Sequence, residues 1–167
     1  GSSKVANGSK KLHPKVNRLR AILSLDAKNA AIVTKNANLD IAVSEIILGS
    51  LSFNGQRCTA LKLIFVQKDV AEEFTKKLTD AVSALKGGLP WEKDVKITPL
   101  PEVNKPPYLE ECIADAVSKG AKVLNENGGY NEASFVFPAV VYPVNEQMKL
   151  YHEEQFGPCL LYTSPSP

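Results

Sequence analysis

The chain has 167 residues, of which 44% are hydrophobic and 23% are charged, a balance typical of one globular domain or of one domain with part of another. The formal net charge of +2, carried by scattered side chains, does not indicate a nucleic-acid partner. No apolar run reaches the roughly 18 residues of a membrane span, so a membrane partner is not expected.

Segments with helical and strand-like periodicity alternate through the first half of the chain. Strands are predicted over residues 19–25, 30–33 and 61–66. Helices are predicted over residues 3–10, 39–51 (capped by Asn38) and 70–85 (capped by Asp69). The pair Gly87–Gly88 is expected to end the third helix.

The periodicity is weaker in the second half of the chain. Residues 90–107 are rich in proline and predict a long ordered loop, and a helix is predicted over residues 108–118. Strands are predicted over residues 121–124 and 135–141, with a polar turn over 125–132 between them. Because strands alternate with helices, the sequence predicts an α/β fold with a doubly wound, mostly parallel sheet.

The three cysteines, Cys58, Cys112 and Cys159, are widely and irregularly spaced. Because there is no CxxC pair, neither a disulfide framework nor a zinc site is indicated, and no metal ligand is predicted. A reducing, cytoplasmic compartment is therefore expected. Cys112 lies on the apolar face of a predicted helix, which favours a position in the core.

Residues 53–60 (Phe-Asn-Gly-Gln-Arg-Cys-Thr-Ala) separate a predicted helix from a predicted strand. This turn would present the thiol of Cys58 at the boundary of the two elements, beside the fixed positive charge of Arg57. A nearby cation favours the nucleophilic thiolate form of a cysteine. Cys58 is therefore a candidate nucleophile, although a free cysteine can equally be a small buried side chain.

Four segments, in one order along the chain, resemble motifs of the aldehyde dehydrogenase superfamily. They are residues 1–5 (Gly-Ser-Ser-Lys-Val), 23–29 (Leu-Ser-Leu-Asp-Ala-Lys-Asn), 53–58 (Phe-Asn-Gly-Gln-Arg-Cys) and 153–158 (Glu-Glu-Gln-Phe-Gly-Pro). The resemblance implies the catalytic domain of that family, preceded by the last helix and strand of its cofactor domain.

This resemblance also suggests how the chain is divided. Residues 1–26 would be the end of the dinucleotide-binding domain, and residues 27–158 would be an incomplete catalytic domain. Residues 159–167 read as an atypical Ser/Pro tail that could be foreign to the native protein. The chain is therefore expected to be a fragment of a longer protein.

Within the superfamily, residues 50–60 and 96–101 are most similar to the NADP-dependent non-phosphorylating glyceraldehyde-3-phosphate dehydrogenases. This similarity implies oxidation of glyceraldehyde 3-phosphate to 3-phosphoglycerate in glycolysis, with NADP, or alternatively NAD, as the acceptor. The Gln-Arg-Cys motif also occurs in relatives that act on other aldehydes. The parent protein would be a cytoplasmic homo-oligomer, either a dimer or a tetramer.

The resemblance implies roles for five residues. Cys58 would attack the aldehyde, giving a thiohemiacetal and then a thioester that water hydrolyses, while Arg57 would bind the substrate phosphate. Glu154 would bond the nicotinamide ribose, Phe156 would pack on the nicotinamide ring, and Ser2 would meet the pyrophosphate at a helix N-terminus. Taken alone, these last three could instead be a solvated carboxylate, a turn anchor and a helix cap.

The chain departs from the family at the general base. Ser24 stands at the position of the family's glutamate, and a neutral hydroxyl cannot take a proton from water as a carboxylate can. Asp26 could supply the carboxylate if the preceding strand continued. Otherwise the departure implies impaired deacylation, or a non-catalytic relative with a binding or structural role. A cysteine hydrolase that pairs Cys58 with His152 is a third alternative, which no local motif supports.

Overall fold

The structure is a computed structural model that describes residues 1–164. In this range helices lie over Ser3–Leu12 (α1), Leu39–Leu51 (α2), Ala71–Ser83 (α3), Lys105–Ser118 (α4) and Lys149–His152 (α5). Strands lie over Asn29–Val33 (β1), Leu61–Val66 (β2), Lys122–Val123 (β3), Asn131–Glu132 (β4), Phe135–Val136 (β5), Ala139–Tyr142 (β6) and Cys159–Thr163 (β7). Across residues 1–164, no helix has the length and apolar content needed to cross a membrane.

The strands of the main sheet follow the order β1-β2-β7-β6-β3. Three of the four pairings are parallel, and β3 pairs antiparallel with β6 at one edge. The strands β4 and β5 form a separate antiparallel hairpin. The prediction of an α/β fold with a mostly parallel sheet is therefore confirmed.

Helices cover both faces of this sheet. Successive side chains of a strand point to opposite faces, and the central strands divide their apolar side chains accordingly. One face carries Ile64, Val140 and Leu160, which pack with α2 and α3. The other face carries Leu63, Val141 and Leu161, which pack with α4 and α5. The doubly wound arrangement predicted from the sequence is thus confirmed.

The helix α2 and the strand β2 have the predicted bounds. The side chain of Asn38 caps α2, because its Oδ1 accepts hydrogen bonds from the backbone N–H groups of Asp40 and Ile41. Gly49 allows α2 to lie close to β2, since a Cβ there would be 2.9 Å from Leu61 Cδ1. The cap and the apolar period were sufficient signals for α2, and the mostly apolar run was sufficient for β2.

Residues 19–25 do not form the predicted strand. A strand needs a neighbour to pair its backbone N–H and C=O groups, and no described strand pairs with this segment. The side chains of Ile22 and Leu23 are exposed accordingly. The segment is apolar as the prediction required, but residues 1–164 provide no strand with which it could pair.

The helix α3 differs from the prediction at both ends, whereas α4 differs at its start and ends at Ser118 as predicted. A short 3-10 turn over Lys68–Val70 precedes α3, so Asp69 is not its cap, and α3 ends before it reaches the glycine pair. The helix α4 begins at Lys105, inside the predicted loop. Pro106 and Pro107 lie in its first turn, where a missing N–H costs no intrahelical hydrogen bond.

The predicted strand over residues 135–141 is divided into β5 and β6. Pro138 lies at the break, and proline has no N–H group to donate to a strand ladder. The hairpin strand β4 lies inside the segment predicted as a turn. The short helix α5 was not predicted.

Cys159–Thr163 forms the buried strand β7 at the centre of the sheet, and this corrects the boundary predicted at residue 159. The Ser/Pro composition that follows led to the interpretation of the whole segment as a tail. Its apolar residues instead complete both cores. The remaining residues of the predicted tail, 165–167, lie outside the described range.

Because Leu161 of β7 is fully buried, its truncation should leave a cavity in the core. We expect Leu161→Ala to lower the free energy of unfolding by about 2–5 kcal/mol, as measured by urea denaturation. Leu48→Ala is the control, because Leu48 is 62% exposed, and it should cost less than Leu161→Ala by a wide margin. Equal effects of the two substitutions would contradict the placement of β7 in the core.

Candidate active site

Three of the four family-like segments meet at one edge of the sheet. The strands β1, β2 and β7 are adjacent and parallel, so they begin at the same edge. The segments that precede them are residues 24–28, 53–60 and 153–158. The candidate active site lies where these three segments meet, at the N-terminal ends of β1, β2 and β7.

The turn before β2 contains three consecutive residues in the left-handed region: Phe53 (φ 53°), Asn54 (φ 57°) and Gly55 (φ 70°). This conformation is unfavourable for residues other than glycine, so it needs contacts that hold it. Asn54 is buried, its Nδ2 donates to Thr98 Oγ1, and its Oδ1 accepts from the Thr98 N–H, both at 3.0 Å. The turn is thereby fixed with the Cys58 side chain exposed.

This turn packs directly on the backbone of residues 153–158. Gly55 approaches so closely that a Cβ there would lie 2.7 Å from the Gly157 carbonyl oxygen. Gln56 Nε2 also donates to the Phe156 carbonyl oxygen at 3.5 Å. The structure thus brings the predicted nucleophile segment and the predicted cofactor segment into contact.

The three thiols differ in their access to solvent. Cys112 and Cys159 are both buried, as predicted for Cys112, while Cys58 is exposed. Burial raises the pKa of Cys159 to about 12, and burial also raises the pKa of Cys112. These two buried groups are therefore neutral thiols near pH 7. Of the three thiols, only that of the exposed Cys58 is open to a molecule in solution.

The guanidinium of Arg57 is held against the end of α2. Its Nη2 donates to the Gly49 carbonyl oxygen at 3.3 Å, and its central carbon lies 5.7 Å from the centre of the Phe53 ring. Its buried Nε has no hydrogen-bond partner within residues 1–164. An unpaired buried donor is costly, so this Nε fits an acceptor supplied from outside the chain.

The carboxylate of Glu154 is held from two sides. Its Oε2 accepts from the Ala27 N–H at 2.9 Å, and its Oε1 lies 3.2 Å from the ammonium nitrogen of Lys62. The side chain is 15% exposed, so Glu154 is not the ordinary solvated carboxylate that was the alternative. Oε1 is buried and accepts no well-formed hydrogen bond from residues 1–164. It fits a hydroxyl donor.

Phe156 lies two residues further on and is half-buried, with a positive φ of 48°. Its ring centre lies 5.9 Å from the ammonium nitrogen of Lys105, at the start of α4. Its carbonyl oxygen accepts the hydrogen bond from Gln56 described above. The backbone thus anchors the turn, while the ring remains partly accessible.

Neither Ser24 nor Asp26, the two candidate positions for the general base, offers a carboxylate without a hydrogen-bond partner at this site. Ser24 is exposed, and its carbonyl oxygen accepts from the Gly1 nitrogen at 2.9 Å. The carboxylate of Asp26 accepts from the Ser3 N–H at 3.2 Å and from the Ser3 hydroxyl, so it is committed to the N-terminus of α1. Ser2 Oγ caps the same helix by accepting from the Val5 N–H.

Sequence reasoning missed two polar side chains that organise the site. Asn29 Nδ2 donates to the carbonyl oxygens of Cys58, at 2.6 Å, and Ala60, at 3.1 Å, and so fastens the turn to β1. Lys62 of β2 lies between this turn and Glu154. The signal in the sequence was a single lysine inside an otherwise apolar strand.

The alternative that pairs His152 with Cys58 gains no support from the contacts of His152. His152 Nε2 contacts the Glu146 carbonyl oxygen, and its ring meets the edge of Tyr151. These contacts place it in a surface role, away from a pairing with Cys58. Over residues 1–164, no three His, Cys, Asp or Glu side chains are grouped so that they could hold a metal ion.

A model of the aldehyde dehydrogenase family matches residues 1–164, so the chain belongs to the aldehyde dehydrogenase family. The NADP-dependent glyceraldehyde-3-phosphate dehydrogenase of Streptococcus equinus is 36% identical to it over 139 residues, which cover 83% of this chain and 29% of that protein.

Two solved structures share the fold. The NADP-dependent glyceraldehyde-3-phosphate dehydrogenase from Bacillus halodurans C-125, complexed with NADP, matches with a TM-score of 0.80 at 30% identity, covering 95% of this chain and 33% of that one. Succinate-semialdehyde dehydrogenase from Burkholderia pseudomallei matches with a TM-score of 0.90 at 30% identity, covering 100% of this chain and 35% of that one. The chain thus spans about a third of each solved structure.

The contact of Gly55 with Gly157 can be tested by adding one methyl group. Gly55→Ala would strain a positive φ and would force its Cβ against the Gly157 carbonyl, so we expect a loss of stability of about 1–3 kcal/mol. Gly8→Ala in α1 is the control, because a Cβ there meets nothing within 4 Å, and it should be neutral or slightly stabilising. Thermal denaturation of both variants measures the difference. No loss in Gly55→Ala would contradict the close packing of the turn.

Lys28 supplies a pH-dependent prediction. Its ammonium donates to the Glu153 carbonyl oxygen and to Gln155 Oε1, and burial lowers its pKa to about 8. Since a lysine in the unfolded chain titrates near pH 10.4, the unfolded state binds more protons between the two values, and stability should rise with pH across that window.

The comparison that isolates Lys28 uses Lys28→Met, which removes the titrating group. The difference in free energy of unfolding between the native chain and this variant, measured by urea denaturation from pH 7 to pH 10, should move in favour of the native chain as pH rises above about 8. A difference that stays constant over this range would contradict the lowered pKa.

Proposed function

We propose that the protein carrying this chain oxidises an aldehyde with NADP, or with NAD, and that Cys58 is its nucleophile. The observation that carries the proposal is the contact between the exposed Cys58 turn and the segment that holds Glu154, made by Gly55 and Gly157. Family membership supports the same chemistry. Because the chain spans only part of its relatives, the activity belongs to the full-length protein.

The chain's own residues would perform the covalent step. The thiolate of Cys58 attacks the aldehyde carbon, a C–S bond forms, and the backbone N–H of Cys58 stabilises the negative oxygen. When the carbon then gives up a hydride, the C=O bond re-forms and Cys58 carries a thioester. A bound nicotinamide cofactor supplies the acceptor for that hydride.

The residues that would hold the cofactor fit its chemical groups. Glu154 Oε1 is a buried acceptor without a well-formed hydrogen bond from residues 1–164, and it would accept from a ribose hydroxyl. The partly accessible ring of Phe156 would pack on the nicotinamide. Ser2 caps α1, whose N-terminal N–H groups favour the negative pyrophosphate. The NADP-dependent relatives support the choice of NADP over NAD.

The substrate would be a small phosphorylated aldehyde, glyceraldehyde 3-phosphate, and the product 3-phosphoglycerate. The Streptococcus and Bacillus relatives, both NADP-dependent glyceraldehyde-3-phosphate dehydrogenases, support this choice. The guanidinium of Arg57 supports it further, because a guanidinium binds phosphate through a planar pair of donors and the Nε of Arg57 has no partner within residues 1–164. We further propose a cytoplasmic homo-oligomer, a dimer or a tetramer, as the working form.

A second candidate function follows from the missing base. Ser24 has no carboxylate, and that of Asp26 is committed to Ser3, so neither residue would activate the water needed to release the thioester. The protein would then form the acyl-enzyme and release it slowly, or serve as a binding or structural relative. The two candidates differ in their kinetics.

Pre-steady-state kinetics of the full-length protein distinguish these candidates. With NADP and glyceraldehyde 3-phosphate, we expect a burst of about one NADPH per site followed by slow turnover, because acylation needs Cys58 and hydrolysis needs a base. Cys58→Ala should abolish the burst. Cys112→Ala is the matched control, since Cys112 is a buried thiol in the core, and it should retain the burst.

Restoring the carboxylate tests the missing base directly. Ser24→Glu should raise the steady-state rate by about 10²–10⁴-fold, the usual range for a general base, while leaving the burst amplitude unchanged. Fast turnover of the native protein would show that another group already acts as the base. A burst that persists in Cys58→Ala would contradict the assignment of the nucleophile.

A further inference from the structure

Lys62 is the least expected residue of the site. It lies in the interior strand β2, and it is 2% exposed. The burial of an ammonium group costs several kcal/mol unless charges and acceptors surround it. A lysine in this position therefore needs a specific set of partners, and their identity indicates its role.

The backbone of β2 is irregular at this residue. Asn29 of β1 pairs with Leu61 and Ala30 pairs with Leu63, so Lys62 is an extra residue with no opposite number in β1. An extra residue in one strand is a β-bulge, which changes the direction of a side chain relative to regular alternation. Such a bulge between parallel strands is uncommon. Here it lies immediately after the Cys58 turn.

Three oxygen atoms surround the ammonium group of Lys62. Its Nζ donates to the carbonyl oxygens of Arg57, at 2.9 Å, and Ala60, at 3.3 Å, and lies 3.2 Å from Glu154 Oε1. The two carbonyls flank Cys58 along the chain, and the carboxylate belongs to the opposite segment. One cation thus joins the turn of the nucleophile to the carboxylate assigned to the ribose.

From this geometry we infer that Lys62 is a positioning residue that aligns Glu154 for a nucleotide ribose and couples it to the Cys58 turn. The inference rests on the proposed function, in which Glu154 receives the ribose. The Ala27 N–H holds Oε2, and Lys62 sets the position of Oε1 without occupying it with a well-formed hydrogen bond. Oε1 therefore keeps its capacity to accept from a ribose hydroxyl.

A purely structural ion pair would have different consequences. If Lys62 had only a structural role, its replacement would lower stability. Any loss of cofactor affinity would then be the same in the native protein and in the Glu154→Gln variant. If Lys62 acts through Glu154, its effect on cofactor affinity should disappear once Glu154 can no longer serve. A double-mutant cycle in cofactor affinity separates these cases, because it measures coupling between the two side chains.

The experiment uses the full-length protein with Lys62→Met, Glu154→Gln and the double variant. The dissociation constants for NADP and for NAD are measured by fluorescence titration, with melting temperatures recorded in parallel. We expect Lys62→Met to weaken binding at least tenfold in the native background and less than twofold in the Glu154→Gln background. Lys76→Met is the control, because it removes an exposed lysine paired with Asp80, and its dissociation constants should not change.

The outcomes are distinct. A dissociation constant that is unchanged in Lys62→Met, or a tenfold loss in both backgrounds, overturns the inference and leaves the proposed function intact. A native protein that binds neither NADP nor NAD overturns both. If Lys62→Met alone fails to fold, Glu154→Gln is compared with the double variant, which buries no unpaired carboxylate. Equal affinity of these two supports the inference, and a further tenfold loss in the double variant overturns it.

Discussion

The parallel pairing of β1, β2 and β7 is the constraint on which the candidate site depends. Parallel neighbours begin at the same edge of a sheet, so the segments over 24–28, 53–60 and 153–158 are brought together, although they lie far apart in the sequence. The position of β7 between β2 and β6 therefore completes the core and also brings the segments of the site together. The pairing of β7 with β2 is what holds the segment of Glu154 against the turn that carries Cys58.

Inside this frame, small backbone features determine what each segment presents. The left-handed run that ends at Gly55 turns the chain sharply after α2, and the lack of a side chain at Gly55 lets the turn reach the Gly157 carbonyl. The bulge at Lys62 then places a cation between two carbonyl oxygens and a carboxylate. The site combines the fixed turn before Cys58 with the fixed carboxylate of Glu154, and it has Ser24 where the family resemblance implied a carboxylate base.

Much of this could be predicted from the sequence, because local signals were strong where they mattered. The cap at Asn38 and the apolar period of α2 gave its bounds, and ordered motifs indicated Cys58 and Glu154. The strand over 19–25 was predicted wrongly, since strand formation depends on a partner that periodicity does not report. The contacts of Lys62 were missed because a bulge is a property of two paired strands. The strand β7 was mispredicted as part of a tail because Ser and Pro residues follow it directly in the sequence.

We propose that an aldehyde acylates Cys58 at the site where β1, β2 and β7 begin, and that the acyl group is released slowly. The most direct test of this proposal is mass spectrometry of the full-length protein, quenched in acid after brief exposure to glyceraldehyde 3-phosphate and NADP. We expect the peptide containing Cys58 to carry the mass of the acyl group, while the peptides containing Cys112 and Cys159 do not. NADPH production with an unmodified Cys58 peptide at every time point, or acylation of another residue, would contradict it.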